Sequence, residues 1–157
     1  DFVEFQCLRR RGRFDVYRQV QCMLEGVAHG ADLAMQLTLN PTLSAVQQRR
    51  LLRAIGRKVA PAHAYRFGEP ARLARPVLFL ASRNEVDQQD WQAWFAELTD
   101  PAPLSSWEAG WQDADALARR HNLRAFALEI YLNATTSQQP GIQAMEPRAL
   151  EVLQALQ

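Results

Sequence analysis

The sequence predicts an all-α fold in which antiparallel helices form an α-α superhelix or an irregular bundle. Apolar residues recur at helical spacing through most of the chain, whereas the apolar–polar alternation of a half-buried strand is nearly absent. Proline and glycine fall mostly between the periodic segments, where they end one helix before the next begins. Short connections of this kind favour successive antiparallel helices.

The first two predicted helices lie before Pro41. One spans about 2–11 and is broken by Gly12, and the second spans about 15–39 with Asp15 as its N-cap. Pro41 ends the second helix because a proline disfavours the helical conformation in the residue before it.

The third and fourth predicted helices span about 42–59 and 70–82. The third has one apolar and one strongly polar side, which predicts an amphipathic helix at the surface. Pro70 suits the first turn of the fourth helix, where its missing N–H costs nothing, whereas Pro76 is expected to kink or interrupt that helix.

The fifth predicted helix begins after Asp87 and ends before Pro101, and the sixth spans about 107–133 with a break near Gly110. A linker, NATTSQQPG, and a short amphipathic helix opened by Pro147 follow.

We therefore expect a single helical domain over residues 1–132, with a linker and a short C-terminal helix over residues 133–157.

The second helix carries a polar stripe. On a helical wheel its members fall within an arc of about 80°: Arg18, Gln21, Glu25, His29, Asp32 and Gln36. Apolar residues fill nearly all the remaining circumference, which predicts a central helix surrounded by others. Gly26 and Gly30 lie one turn apart on the apolar side. Each costs about 1 kcal/mol of helix propensity, which indicates that a neighbouring helix comes close there.

The polar stripe has two interpretations. It is either a solvent strip or hydrogen-bonded network in which His29 lies between Glu25 and Asp32, or the lining of a cavity that binds a ligand or a metal. Under the second interpretation His29 and Asp32 are the candidate metal ligands on this helix, and other helices must supply the rest. His121 is the best candidate for a metal ligand from another helix, because it lies on an otherwise apolar row of the sixth helix. The alternative is that His121 is a histidine of the core with a structural role.

Four tryptophans flank the proline-rich turn between the fifth and sixth helices: Trp91, Trp94, Trp107 and Trp111. They are candidates for an aromatic surface that holds a sugar or a peptide. Their helical spacing also suits the packing of these two helices against each other.

Composition excludes several classes of partner. The 18 basic and 17 acidic residues nearly cancel, so no general field draws the chain to nucleic acid, and the arginine cluster at 9–13 is either a solvated helix end or a local phosphate site. No apolar run is long enough to span a membrane. Cys7 and Cys22 form no zinc or disulfide pattern, which favours reduced thiols and a cytoplasmic location.

Four segments carry a family resemblance: AHGAD (28–32), FGEPARLA (67–74), WQAW (91–94) and RRHNLRAFALEIYL (119–132). Over about 8–132 the chain resembles an uncharacterised bacterial helical family, domain of unknown function 2785. The resemblance implies an all-α fold and a role for the AHGAD segment, without an activity. It also implies a tryptophan and a histidine just before AHGAD, where this chain has Met23 and Glu25, and further helices upstream of Asp1.

The leading functional hypothesis is a non-catalytic binding or scaffold domain for a peptide, a protein or a small polar ligand. The alternative is an enzyme, such as a metal-dependent hydrolase, with the residues of one pocket drawn from around AHGAD: Glu25, His29, Asp32 and His121. A third hypothesis is an immunity or toxin-neutralising protein. No GxSxG, P-loop, GxGxxG or HExxH motif is present, and the residues imply no cofactor and fix no oligomeric state.

Overall fold

The structure is a computed structural model that describes the backbone of residues 16–157 and the side chains from residue 26 onward. Within this range the chain is helical and contains no strand, so the predicted all-α fold is confirmed. The helices are α1 (Val16–Thr38), α2 (Ala45–Val59), α3 (Glu69–Arg83), α4 (Gln88–Thr99), α5 (Ala114–Thr136), α6 (Pro140–Gln143) and α7 (Glu146–Ala155), with a short 3-10 turn at Glu108–Gly110. The predicted helix at 2–11 and the Asp15 cap lie outside the described residues.

Local signals place most helix ends where the sequence predicts them. The Ser44 side chain accepts a hydrogen bond from the backbone N–H of Gln47, whose own side chain caps Ser44 in return. Pro70 lies in the first turn of α3. The break expected near Gly110 is present, since a 3-10 turn precedes the Asp113 cap of α5.

Two expectations about helix ends are wrong. Of the kink or interruption expected at Pro76, the interruption is absent, since α3 is continuous from Glu69 to Arg83. Pro76 lies on the buried face of the helix, where burial of its ring offsets the cost of the lost hydrogen bond. The linker is shorter than predicted, because α5 continues to Thr136 and buries Ala134 in the core.

The core lies along α3 and α5. Helix α3 packs against α1, α2, α5 and α6, and α5 packs in turn against α7. The central side chains of the core are all buried: Leu73, Val77, Leu80, Leu123, Phe126 and Ile130. Helices α3 and α5 are therefore the two elements around which the rest of the bundle packs.

The C-terminal helix α7 supplies part of this core. Ala149, Val152 and Leu156 are buried, and the Leu156 carbonyl accepts hydrogen bonds from the Arg120 guanidinium of α5. The expected domain division at residue 132 remains a prediction.

The expectation that the second helix is central is wrong for the described part of α1. Ala31, Ala34 and Thr38 are buried on the side that faces α3, but Leu33 is 62% exposed and Leu37 is 44% exposed. A helix with apolar residues around its whole circumference can still leave some of them exposed to solvent, as α1 does. Helix α1 therefore packs at the edge of the bundle.

The close helix contact predicted at Gly30 is also wrong. Gly30 is exposed, and a Cβ added there would meet no atom within 4 Å. Alanines 31 and 34 make the contact with α3 instead. The close approach lies at Gly141 of α6, where an added Cβ would be 2.0 Å from the carbonyl oxygen of Ala81.

Asn122 of α5 holds the loop between α2 and α3. Its Oδ1 accepts a hydrogen bond of 2.8 Å from the backbone N–H of Tyr65. Its Nδ2 donates to the carbonyl oxygens of Pro61 at 3.3 Å and His63 at 2.8 Å. Since Asn122 is fully buried, no water replaces these bonds, and the loop is fixed to α5 just before α3 begins.

We predict that Asn122→Ala lowers the free energy of unfolding by roughly 3 kcal/mol, because it leaves buried loop groups without partners. Urea denaturation measures the change. Asn133→Ala is the control on the same helix, since Asn133 is exposed, and it is expected to stay within about 0.5 kcal/mol of the wild type. Equal losses in the two variants would contradict this role for Asn122.

We predict opposite effects for alanine at two glycines. Gly30→Ala is expected to stabilise the protein by up to about 1 kcal/mol, because alanine favours the helix and the site is open. Gly141→Ala is expected to destabilise it by roughly 2 kcal/mol or more, because its Cβ would collide with the backbone of α3. Melting temperatures that shift in the same direction would show that these helix contacts are assigned wrongly.

Candidate functional site

The described part of the polar stripe faces solvent. His29, Asp32 and Gln36 are exposed on α1. A carboxylate oxygen of Asp32 lies 3.3 Å from Nη1 of Arg72 on α3, and both side chains are about half exposed. An exposed pair of this kind contributes less than about 1 kcal/mol to stability. The side chain of Glu25 lies outside the described residues.

His121 is exposed as well. The row of α5 on which it lies also carries Leu128 and Leu132, which are 40% and 57% exposed, so this row is the outer side of the helix. The buried side is the one that carries Leu123, Phe126 and Ile130. A histidine is therefore not out of place at position 121.

The described candidates for a polar site, His29, Asp32 and His121, line neither of two cavities of the structure, one at α1–α3 and one at α2–α4. Among the described residues, no three histidine, cysteine, aspartate or glutamate side chains are grouped so that they could hold a metal ion.

Three of the four candidate tryptophans are in the core. Trp91, Trp94 and Trp107 are each at most 5% exposed, and the Trp94 ring centroid is 5.0 Å from that of Phe95 and 6.1 Å from that of Phe126. They pack α4 against its neighbours. Trp111 is 57% exposed, with the Arg120 guanidinium 5.7 Å from its ring centroid, and is the one member of this set available at the surface.

A cleft of about 360 Å³ opens at the C-terminal end of α1, and we call it the α1–α3 cleft. Leu39, Pro41 and Phe79 give it apolar walls, and Arg83 and Glu85 give it charged ones. No sequence motif marks this cleft, because its walls come from the ends of α1 and α3, which lie 45 residues apart in the chain.

Arg83 fixes the shape of this cleft. Its Nη1 donates to the carbonyl oxygens of Thr38 at 3.1 Å and Asn40 at 2.8 Å. Its Nη2 donates to a Glu85 carboxylate oxygen at 2.9 Å. The guanidinium donates hydrogen bonds to carbonyl groups at the end of α1 that have no N–H donor within the helix. Its positive charge also interacts favourably with the negative end of the helix dipole.

Glu85 is held ionised by its neighbours. The hydrogen bond from Arg83, followed by the one from the side-chain amide of Gln48, lowers the pKa of Glu85 below its ordinary value of 4.5. Gln48 is buried and also donates to the carbonyl oxygen of Leu43. This network ties α2 to the turn that follows α3.

The outer face of α1 lies next to the cleft. We define it by Asp32, Leu33, Gln36 and Leu37, all of which are exposed. Leu33 and Leu37 are four residues apart and form an apolar ridge beside the polar stripe. The predicted central helix would have buried both leucines, and that prediction is wrong for them.

The family model described as "Protein of unknown function (DUF2785)" matches residues 24–132, which is more than half of the chain. The chain belongs to this family. The match includes AHGAD, the outer face of α1 and the α1–α3 cleft, and it ends within α5.

No curated protein and no solved structure matches this DUF2785 chain. No helix within the described part of the chain is long and apolar enough to cross a membrane.

We predict that acid weakens the contacts of Glu85. Because its folded-state pKa is lowered, its contribution to stability is fully present above pH 4.5 and is lost as the pH falls through the folded-state value. The difference in unfolding free energy between the wild type and Glu85→Gln should therefore shrink on acidification below 4.5. Urea titrations at neutral and acidic pH measure it, and a difference that is constant with pH would refute the prediction.

Proposed function

We propose that this DUF2785 domain is a cytoplasmic, non-catalytic binding domain whose partner is an amphipathic helix of another protein. The helix docks on the outer face of α1. The observation that carries the proposal is the exposed pair Leu33 and Leu37, which lies along one side of a helix whose opposite side is packed on α3. Exposed apolar groups that are contiguous and bordered by polar residues are typical of an interaction site.

The spacing of the two leucines favours a helix as the occupant. Side chains at i and i+4 form a ridge along α1, and such ridges fit the grooves on the surface of a second helix. Gln36 on one side and the Asp32–Arg72 ion pair nearby supply polar groups for the rim of the contact.

Energetics place a second requirement on the partner. Burying the exposed parts of Leu33 and Leu37 yields roughly 2–3 kcal/mol. A micromolar complex needs about 8 kcal/mol, so the ridge alone is too small. The α1–α3 cleft, whose lining begins at Thr38 directly after Leu37 and includes Phe79, is the adjoining surface that an apolar side chain of the partner would fill.

The proposal predicts that Leu33→Asp with Leu37→Asp abolishes binding while the fold stays intact, because both side chains are exposed. Proteins retained by the wild type are identified from the native host, and each is then purified and titrated against both chains by calorimetry. We expect a partner whose affinity falls by more than about tenfold, or 1.4 kcal/mol, in the double variant.

The control is the double variant Leu117→Asp with Leu128→Asp, which adds the same charges at exposed leucines of α5. It should bind the purified partner as the wild type does. A partner that binds the α1 variant with wild-type affinity would overturn the proposal. So would self-association of the wild type that the α1 variant alone loses, since the occupant would then be a second copy of this chain.

A further inference from the structure

A second cavity lies on another side of the molecule, between α2 and α4. It has a volume of about 200 Å³, and we call it the arginine cavity. Arg53 and Arg57 line it from α2, Arg119 lines it from α5, and Glu97 and Asp100 line it from the end of α4. It shares no lining residue with the α1–α3 cleft, so it does not depend on the proposed function.

The charged residues that line this cavity form no ion pair with one another. The ion pairs in the described part of the chain are Arg49–Asp90, Arg72–Asp32 and Arg83–Glu85, and none of them includes a residue of the cavity. Three arginines and two acidic residues therefore line the cavity without being paired to each other, four of them exposed at its mouth and Arg119 half-buried.

Arg119 is held in place before any ligand arrives. Its Nη2 donates to the carbonyl oxygen of Ala102 at 3.0 Å, and its guanidinium carbon lies 5.6 Å from the ring centroid of Trp107. A guanidinium that is already ordered loses less conformational entropy when it binds an anion.

The inner wall of the cavity is equally fixed. Trp94 lines it, and its indole N–H donates to the carbonyl oxygen of Leu52 at 2.8 Å. Gly56 lies against this ring, since an added Cβ would be 3.0 Å from Trp94 Nε1. A larger residue at position 56 would displace the indole or fill the cavity, so its shape depends on this glycine.

We propose that the arginine cavity binds a small zwitterion. An oxyanion of the ligand, carboxylate or phosphate, pairs with Arg53, Arg57 and Arg119, and its ammonium group pairs with Glu97 and Asp100. A simple anion would meet two opposing carboxylates, and a simple cation would meet three guanidinium groups. The C-terminal end of α4 adds a negative helix dipole on the carboxylate side.

The size of the cavity restricts the ligand further. Its volume of about 200 Å³ is below the roughly 300–1,000 Å³ of sites for drug-sized molecules. An amino acid or an amino-alkyl phosphate has both the required charges and a suitable size.

The test follows the indole N–H resonance of Trp94 in the full chain by NMR during titration. L-Alanine and O-phosphoethanolamine are the zwitterionic probes, and they distinguish a carboxylate from a phosphate. Acetate, inorganic phosphate and ethylammonium each supply one of the charges alone. We expect a saturable shift with at least one zwitterion and an affinity about tenfold or more above that for its single-charge counterparts.

Variants assign the binding to the cavity. The change of Arg53→Gln together with Arg57→Gln should weaken zwitterion binding by about tenfold or more, whereas Arg50→Gln, outside the cavity on the same helix, should leave it unchanged. Glu97→Gln should weaken the zwitterion but not the corresponding anion.

Three results would overturn the proposal. One is the absence of a saturable shift with either zwitterion, and another is equally tight binding of acetate or phosphate, which would indicate a simple anion site. The third is an equal effect of Arg50→Gln, which would indicate that only the overall charge matters.

Discussion

The buried amide of Asn122 is the contact on which the arrangement of the bundle depends. It fixes the loop before α3 to the middle of α5, and so sets where α3 begins. Helix α3 then positions α1 through the buried side of Ala31 and Ala34, and Arg83 at its far end holds the carbonyls that close α1. The outer face of α1 and the α1–α3 cleft thus take their geometry from one polar side chain in the core. Because every polar atom of that amide has a partner, its burial specifies one loop position at little cost.

Local chemistry allowed the sequence to predict the helices, but not which of their sides would be buried. Helix ends depend on residues close by in the sequence, as at the Ser44 capping box, Pro70 and the break near Gly110. These ends could therefore be predicted from the sequence alone. The burial of α1 depends on what packs beside it, and α3 covers one side only. The sequence therefore predicts helix contacts at Leu33 and Gly30, but both residues are exposed in the fold. Asn122 gave no signal either, because its partners lie about sixty residues earlier in the chain.

The AHGAD segment combines two roles on one turn of helix. Ala31 is buried against the core, whereas Asp32 pairs with Arg72 at the surface and His29 is exposed. The family match includes this segment, the outer face of α1 and the whole arginine cavity. These two candidate binding surfaces have different chemistry. The first is an apolar ridge suited to a macromolecule, and the second is a small charged cavity suited to a metabolite-sized ligand.

The burial of α7 affects when the chain can complete its folding during synthesis. Ala149, Val152 and Leu156 are buried where α7 packs against α4 and α5, and those two helices are synthesised first. The apolar sides of α4 and α5 therefore lack their final cover until α7 has itself left the ribosome. A nascent chain in this state exposes the kind of surface that chaperones bind. Native packing of the DUF2785 region is therefore completed only after Leu156 has left the exit tunnel, well beyond the end of the family match itself.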